Sequence, residues 1–385
     1  MTYKRVILTA GFAMFSMFFG SGNLVFPLLI GTQTLDVSTY STLGLILTAV
    51  IVPFLGLFGM ILYNGNTRDY FDKLGRIPSF LLILAMLSLM GPFGVVPRCI
   101  TVAYGGLNVL YPTLPFDWFS AGFCALITLL IWKSNRVVDV IGLLLTPFKL
   151  GGLMLLMIVG LYYAPDIQKT TLSTSESFLT GLYLGYQTMD LMAAFFFSAT
   201  TVAYLRQNLH PEHGGQVLFK ISLQSLIIGA LLLAVAYIGF VKLGAHYATQ
   251  LVGVQPESLL VVIAEKTMGI YALPIVGYTM AIACLATAVI LTILFVDFLF
   301  SDILKGKLNE KVCIFITIGA TYAMSLLGFS KICSVLGQIL EVAYPALIGL
   351  AIGNILSQIS RIDMAKILFW GILLLNIIYK LINQQ

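Results

Sequence analysis

Long, charge-poor apolar segments recur along almost the whole of this chain, and they constrain its fold more than any other feature. They can be bracketed at residues 5 to 31, 40 to 63, 78 to 104, 116 to 133, 139 to 163, 178 to 205, 217 to 241, 273 to 302, 312 to 328, 332 to 357 and 364 to 383. A helix needs about 20 apolar residues to cross a bilayer, so these read as eleven transmembrane helices with short connections. Composition agrees: 59% of the residues are apolar or aromatic and 10% are charged, against about 45–50% and about 25% in soluble domains. A water-soluble fold is excluded. No segment has the short alternating pattern of a lipid-facing β-barrel, and in hydrocarbon a helix is the remaining way to satisfy the backbone. The expected class is an all-α integral membrane protein. Its first segment, behind Lys4 and Arg5, is too long for a secretory signal and lacks an Ala-x-Ala site, so it reads as a retained span.

Charge sets the orientation. With the N-terminus inside, 14 of the 21 Lys and Arg fall at the inner face, five at the outer face, and Arg98 and Lys149 lie within spans. The positive-inside rule then predicts N-terminus in and C-terminus out. It also accounts for the net charge of +5 without a nucleic-acid surface. The five cysteines, Cys99, Cys124, Cys284, Cys313 and Cys333, have no Cys-x-x-Cys spacing and read as small apolar residues. No loop is long enough for a soluble domain. The longest, 242 to 272, carries a short apolar stretch from Ser258 to Ile263 that reads as a hairpin over the outer face.

Two spans are interrupted in matching ways. The first holds Gly20-Ser21-Gly22-Asn23 at its middle with Pro27 beyond, and the sixth holds Gly185-Tyr186-Gln187-Thr188-Met189-Asp190. Glycines cost a helix about 1 kcal/mol each, and buried polar groups cost more unless they meet a partner. The two breaks are five spans apart, an odd number, so a five-span repeat must be inverted in the membrane. Paired broken helices of this kind point to a secondary transporter with its site near mid-bilayer.

At these motifs the chain resembles the branched-chain amino acid:cation symporters, bacterial carriers for leucine, isoleucine and valine within the amino acid–polyamine–cation superfamily. The resemblance runs from about residue 5 to residue 357. It is carried by Phe18-Phe19-Gly20-Ser21-Gly22-Asn23-Leu24-Val25-Phe26-Pro27, Gly91-Pro92 with Val96-Pro97-Arg98 and Val102-Ala103-Tyr104, Leu145-Thr146-Pro147, Gly185 to Asp190, Ala283-Cys284-Leu285-Ala286-Thr287 and Ala343-Tyr344-Pro345. It implies a five-plus-five inverted-repeat fold, with a ten-helix core over 1–357, repeats over about 5–163 and 178–357, and an additional helix in 358–385. It also implies symport by alternating access in a bacterial cytoplasmic membrane, with sodium or a proton as the coupling ion and no other cofactor. The family usually has twelve spans, a Tyr-Glu where this chain has Tyr104-Gly105, and a Thr-Thr pair where it has Ala286-Thr287. Oligomeric state is left open, and membrane lipid is the expected surrounding partner.

An amino-acid zwitterion needs donors for its carboxylate, acceptors for its ammonium and an apolar cavity. The expected carboxylate site is the start of the outer half of span one, at Gly20, Ser21, Gly22 and Asn23, where helix N–H groups are unpaired and glycine permits close approach. Tyr104 is a further candidate donor. Tyr186, Thr188 and Met189 are candidates around the break of span six, its carbonyls serving the ammonium. Charges deep in spans are functional candidates by default. Asp190 is expected to order its break or couple a cation, in preference to a static pair with Lys149, and Arg98 and Glu341 are expected to bridge as an outer gate. Asp139, Asp297 and Asp302 lie near the inner face and read as caps or snorkelling groups. The superfamily resemblance implies a sodium site from the carbonyls of Ser16 and Phe19, the carbonyl of Ala283 and the hydroxyl of Thr287, with no oxygen at Ala286. The proton alternative uses Asp190.

Other readings are weaker. His210, His213 and His246 form no His-Glu-x-x-His arrangement, no Gly-x-Ser-x-Gly or phosphate-binding run occurs, and Gly20-Ser21-Gly22 lacks the third glycine and preceding strand of a dinucleotide site. An enzyme is not expected. A channel, and a symporter of another neutral amino acid such as methionine, stay open at this point.

Overall fold

The computed structural model describes residues 3–132, 151–208, 215–360 and 363–383. Within them all regular structure is helical. Lys149, Asp139, Leu145-Thr146-Pro147, His210 and His213 lie outside the described residues.

Span one is two helices, α1 (Tyr3–Phe18) and α2 (Ser21–Thr34). The chain between them is extended at Gly20, whose N–H donates to the Phe18 carbonyl at 2.8 Å. Span two is α3 (Ser38–Ile46) and α4 (Val52–Leu62), joined by a π-helical turn over Leu47–Ile51. A corner at Leu35, φ 45°, turns the chain back between spans one and two. After the short α5 (Thr67–Phe71), span three is also divided, into α6 (Arg76–Met90) and α7 (Val95–Asn108). The segment 78 to 104 reads as a single span and lies within one stretch long enough to cross, Arg76–Asn108, but that stretch is interrupted: Pro92 has no N–H for the ladder, and Gly91 and Gly94 both depart from helical geometry.

α8 (Phe116–Trp132) and α9 (Gly151–Tyr162) follow, then the halves of span six, α10 (Thr174–Tyr186) and α11 (Asp190–Asn208), bent by 42° at the intervening Gln187-Thr188-Met189. The remaining elements are α12 (Gly215–Tyr247), α13 (Leu259–Met268), α14 (Ala272–Phe298), α15 (Glu310–Ser325), α16 (Phe329–Ser360) and α17 (Met364–Asn383). The stretch expected as an outer hairpin begins with a 3-10 turn, Pro256–Ser258, and becomes the helix α13; the Ser258 hydroxyl seats it by donating to the Gly105 carbonyl on α7 at 3.2 Å. Six helical stretches among the described residues, some of them interrupted, are long and apolar enough to cross a membrane, and the bent α10–α11 pair makes a seventh. Others in the expected set of eleven, such as α8 and α9, are shorter.

The packing is paired. Span one lies on span seven, with both α1 and α2 against α12, and span six lies on span two, with α10 against α3 and α11 against α4. Exchanging one with six and two with seven converts the first set into the second. The seams are glycine to backbone in both. A Cβ at Gly31 would lie 2.1 Å from the Val241 carbonyl oxygen and one at Gly244 2.1 Å from that of Leu28; a Cβ at Gly44 would lie 2.2 Å from the Phe178 oxygen and one at Gly181 1.9 Å from that of Ser41. Spans three and eight close on each other in the same manner, a Cβ at Gly277 falling 2.5 Å from the Gly106 oxygen. In a membrane, where lipid is as apolar as any side chain, such close backbone approach is what holds helices together. Gly181→Val is therefore expected to destabilise the fold by about 3 kcal/mol, the upper end of overpacking costs. The check is the thermal midpoint of the detergent-purified protein, and a midpoint equal to wild type would discount the seam.

Candidate substrate and coupling-ion site

The two breaks meet at the centre. Asn23, in the first turn of α2, is held at both ends of its side chain: Oδ1 accepts from the Gly20 N–H at 3.0 Å, and Nδ2 donates to both carboxylate oxygens of Asp190, at 3.1 and 2.9 Å. Tyr237 on α12 completes the cluster, its hydroxyl donating to Asp190 Oδ2 at 2.8 Å and accepting from Asn23 Nδ2. All three side chains are buried. Asp190 is also the first residue of α11, where the positive end of a half-helix favours a carboxylate. A third point is Tyr344 on α16, whose hydroxyl accepts the Leu191 N–H at 3.0 Å and whose ring packs on Tyr186 at 4.7 Å. Tyr237 and Tyr344 were not legible as site residues; a tyrosine in an apolar span signals only that its hydroxyl will need a partner.

The glycines expected to admit a substrate lie where two chains pass closely. A Cβ at Gly22 would sit 3.2 Å from Thr188 Cα and 3.4 Å from the Phe26 ring, and one at Gly20 would sit 3.3 Å from Thr287 Cγ2. Span one thus touches span six through Gly22 and span eight through Gly20. Ser21 accepts a weak bond from the Cys99 thiol at 3.4 Å. Pro27 has no N–H to offer the Asn23 carbonyl, which leaves that oxygen outside the helical ladder. A cavity of about 20 Å³ lies here, lined by Gly20 to Asn23, Thr188 to Asp190, Thr287 and side chains of α1, α11 and α14. That volume suits about one water molecule, so a branched aliphatic side chain enters only if the walls part.

In the remainder of span six, the Thr188 hydroxyl donates to the Gly185 carbonyl at 2.8 Å, and Met189 adopts the left-handed φ of 60°. Of the oxygens implied for sodium, the Thr287 hydroxyl donates back to the Ala283 carbonyl at 3.2 Å and lies beside Gly20; Ser16 is in the last turns of α1, and Phe19 follows that helix, its N–H on the Phe15 carbonyl at 3.0 Å.

Two expectations are corrected. Arg98 does not pair with Glu341. The Glu341 carboxylate faces α17 and meets Lys380 at 3.4 Å, half-exposed, whereas Arg98 is fully buried and points at the break of span six. Its Nη1 donates to the Gln187 carbonyl at 2.7 Å and its Nη2 to Met189 Sδ at 3.2 Å, capping the negative end of α10. Tyr104 turns outward: its hydroxyl donates to the Leu114 carbonyl at 3.0 Å and its ring packs on Phe116 and Phe119. Six residues along a helix is a rotation of about 240°, so Tyr104 and Arg98 cannot share a face. Lys149, whose static pair with Asp190 is the less favoured reading, lies outside the described residues; the described partners of Asp190 are neutral, Asn23 and Tyr237.

A family described as branched-chain amino acid transport protein matches residues 3–384. The chain belongs to this family. It is 25% identical over 355 residues to the branched-chain amino acid permease BrnQ of Salmonella typhimurium, covering 91% of this chain and 80% of that one, and 27% identical over 358 residues to the BrnQ of Corynebacterium glutamicum, covering 90% and 80%. The branched-chain amino acid transport system 3 carrier protein of Pseudomonas aeruginosa is 26% identical over 348 residues, 89% of this chain and 78% of that carrier. These relatives are permeases and carriers, not enzymes. Among solved structures, Mhp1, a nucleobase-cation-symport-1 family transporter in a closed conformation with bromovinylhydantoin bound, superposes with a TM-score of 0.64 at 13% identity over 96% of this chain and 91% of its own. A sodium-coupled sialic acid symporter in a substrate-bound outward-open state gives 0.51 at 11% identity, covering 97% and 96%. The fold is therefore the inverted-repeat transporter fold with broken first and sixth spans.

Proposed function

We propose that this family member is a cation-coupled importer of leucine, isoleucine and valine, working by alternating access around spans one and six in a bacterial cytoplasmic membrane, with its N-terminus inside. The observation that carries the reading is the link between the two breaks, Asn23 on one and Asp190 on the other, beside a cavity bordered by both. The substrate carboxylate takes the N–H groups at Gly22 and Asn23. The ammonium takes the Asn23 carbonyl that Pro27 leaves outside the ladder, together with carbonyls of the α10 end. Met17, Met90, Met189 and Leu291 surround the side chain.

The test is uptake of labelled leucine into proteoliposomes with sodium and proton gradients imposed separately. Saturable, gradient-driven accumulation supports the reading, and flux that neither saturates nor concentrates the substrate would replace it with a pore. For the ion, the sodium reading uses the carbonyls of Ser16, Phe19 and Ala283 and the Thr287 hydroxyl. Sodium, like other hard cations, favours about five or six oxygens, and Ala286 supplies none from its side chain. Ala286→Thr is expected to lower the sodium concentration for half-maximal uptake. Uptake indifferent to sodium, and abolished by a protonophore, would assign the coupling to a proton on Asp190 instead.

A further inference from the structure

Among the described residues, Arg98 is a buried cation in no ion pair. Its side chain is fully buried, its three close partners are a carbonyl, a thioether and the face of the Phe26 ring 5.5 Å from Cζ, and the Cys333 thiol lies alongside. Asp190 lies within its field but hydrogen-bonds to Asn23 and Tyr237, and among the described residues Arg98 enters no ion pair. One donor of the guanidinium, Nε–H, is buried with no acceptor among the described residues. A charge held in low dielectric with an unused donor is costly unless an anion completes it.

The position of the Phe26 ring says which anion. One edge of that ring lies against Gly22, 3.4 Å from where a Cβ would be, and the guanidinium lies over it. Arg98 bonds the Gln187 carbonyl, and the next residue, Thr188, is the one that touches Gly22. The free donor and the N–H groups at the start of α2 are therefore neighbours screened from each other by one aromatic side chain. We propose that Arg98 reads the carboxylate of the substrate: when the Phe26 ring swings aside, Nε–H closes on the carboxylate seated at the Gly22 and Asn23 amides. The inference rests on the proposed transport of amino acids. It adds a side chain that distinguishes an amino acid from an amine or amide of the same shape. Because the resting partners of Arg98 are neutral, the residue is released to the substrate without breaking an ion pair.

The experiment compares leucine with leucinamide, which keeps the ammonium and side chain but has no carboxylate, as competitors of labelled leucine uptake in proteoliposomes. Wild type is expected to prefer leucine. In Arg98→Met, which removes the buried charge and keeps an unbranched chain, the apparent affinity for leucine falls about tenfold to a hundredfold while that for leucinamide changes less than about threefold. Arg98→Lys keeps a charge but not the planar fork, and its preference for leucine falls at least about threefold; it serves as the second variant should Arg98→Met be lost from the membrane. A wild-type ratio of the two affinities in either variant overturns the proposal. Absence of leucine uptake in the wild-type protein would instead overturn the transport reading, and the two failures are told apart in the same assay.

Discussion

Replacing Gly22 with leucine is expected to abolish leucine uptake. The reason is local and steric. A Cβ at this position already comes within 3.2 Å of Thr188 Cα and 3.4 Å of the Phe26 ring, tighter than ordinary contact, and a branched side chain beyond it must take the volume next to the first amides of α2. The same volume is assigned to the substrate carboxylate, so the variant loses the anion site and forces the two breaks apart. Gly22→Ala grades the effect: Thr188 must yield by a few tenths of an ångström, and uptake falls without vanishing. Labelled leucine uptake, read beside size-exclusion profiles that report an intact protein, makes the comparison. A correctly inserted Gly22→Leu protein with wild-type leucine affinity would remove the span-one break from the site.

Asp190→Asn is expected to be nearly as severe. In the wild type the carboxylate is a pure acceptor and receives three hydrogen bonds, two from Asn23 Nδ2 and one from Tyr237. An amide presents one oxygen and one donor NH2, so whichever way it is turned a donor faces a donor. Charge-assisted bonds of this kind contribute about 1.5–3 kcal/mol each, and losing one lowers uptake by about tenfold to a hundredfold. Tyr237→Phe removes a single donor and leaves the Asn23 bonds, so its effect should be the smaller of the two. Because the three side chains share one network, their effects should not add, and a double-mutant cycle of Asp190→Asn with Tyr237→Phe should show coupling. Wild-type uptake by Asp190→Asn, at any sodium concentration and pH, would reduce the carboxylate to a bystander.

How far the sequence revealed this arrangement differs from feature to feature. The breaks of spans one and six were legible because each places polar residues and glycine inside an apolar run, and such a run has nowhere else to go. The division of span three was not, although Gly91 and Pro92 stood in a recognised motif: glycine and proline interrupt a helix without making the segment polar. Depth could be read by counting residues at 1.5 Å each, and on depth alone the long side chain of Arg98 could bridge to Glu341. Rotation about the helix axis could not be read, and it sends Glu341 to Lys380 and Tyr104 to Leu114. Tyr237 and Tyr344 were missed for a related reason. Their hydroxyls act through partners more than 40 residues away in sequence, Asp190 and Leu191, and no local pattern announces such a contact.

The glycine seams carry a consequence for energetics. Gly31 with Gly244 and Gly44 with Gly181 flank the Leu35 corner at one and the same face, where the Thr34 and Ser41 hydroxyls meet at 2.8 Å and Lys242 reaches Thr39 at 3.1 Å. The two seams therefore tie the same ends of spans one, two, six and seven into one backbone-to-glycine joint. The joint itself is uncharged, and the charge of the described interior lies in the site: span one contributes the neutral amide of Asn23, span six the carboxylate of Asp190, and span three the guanidinium of Arg98. A membrane potential acts on charge at about 2.3 kcal/mol per elementary charge per 100 mV, whereas a backbone-to-glycine contact is blind to it. A response of this molecule to voltage is thus expected from a few side chains at its centre and not from the glycine joint that ties the helix ends.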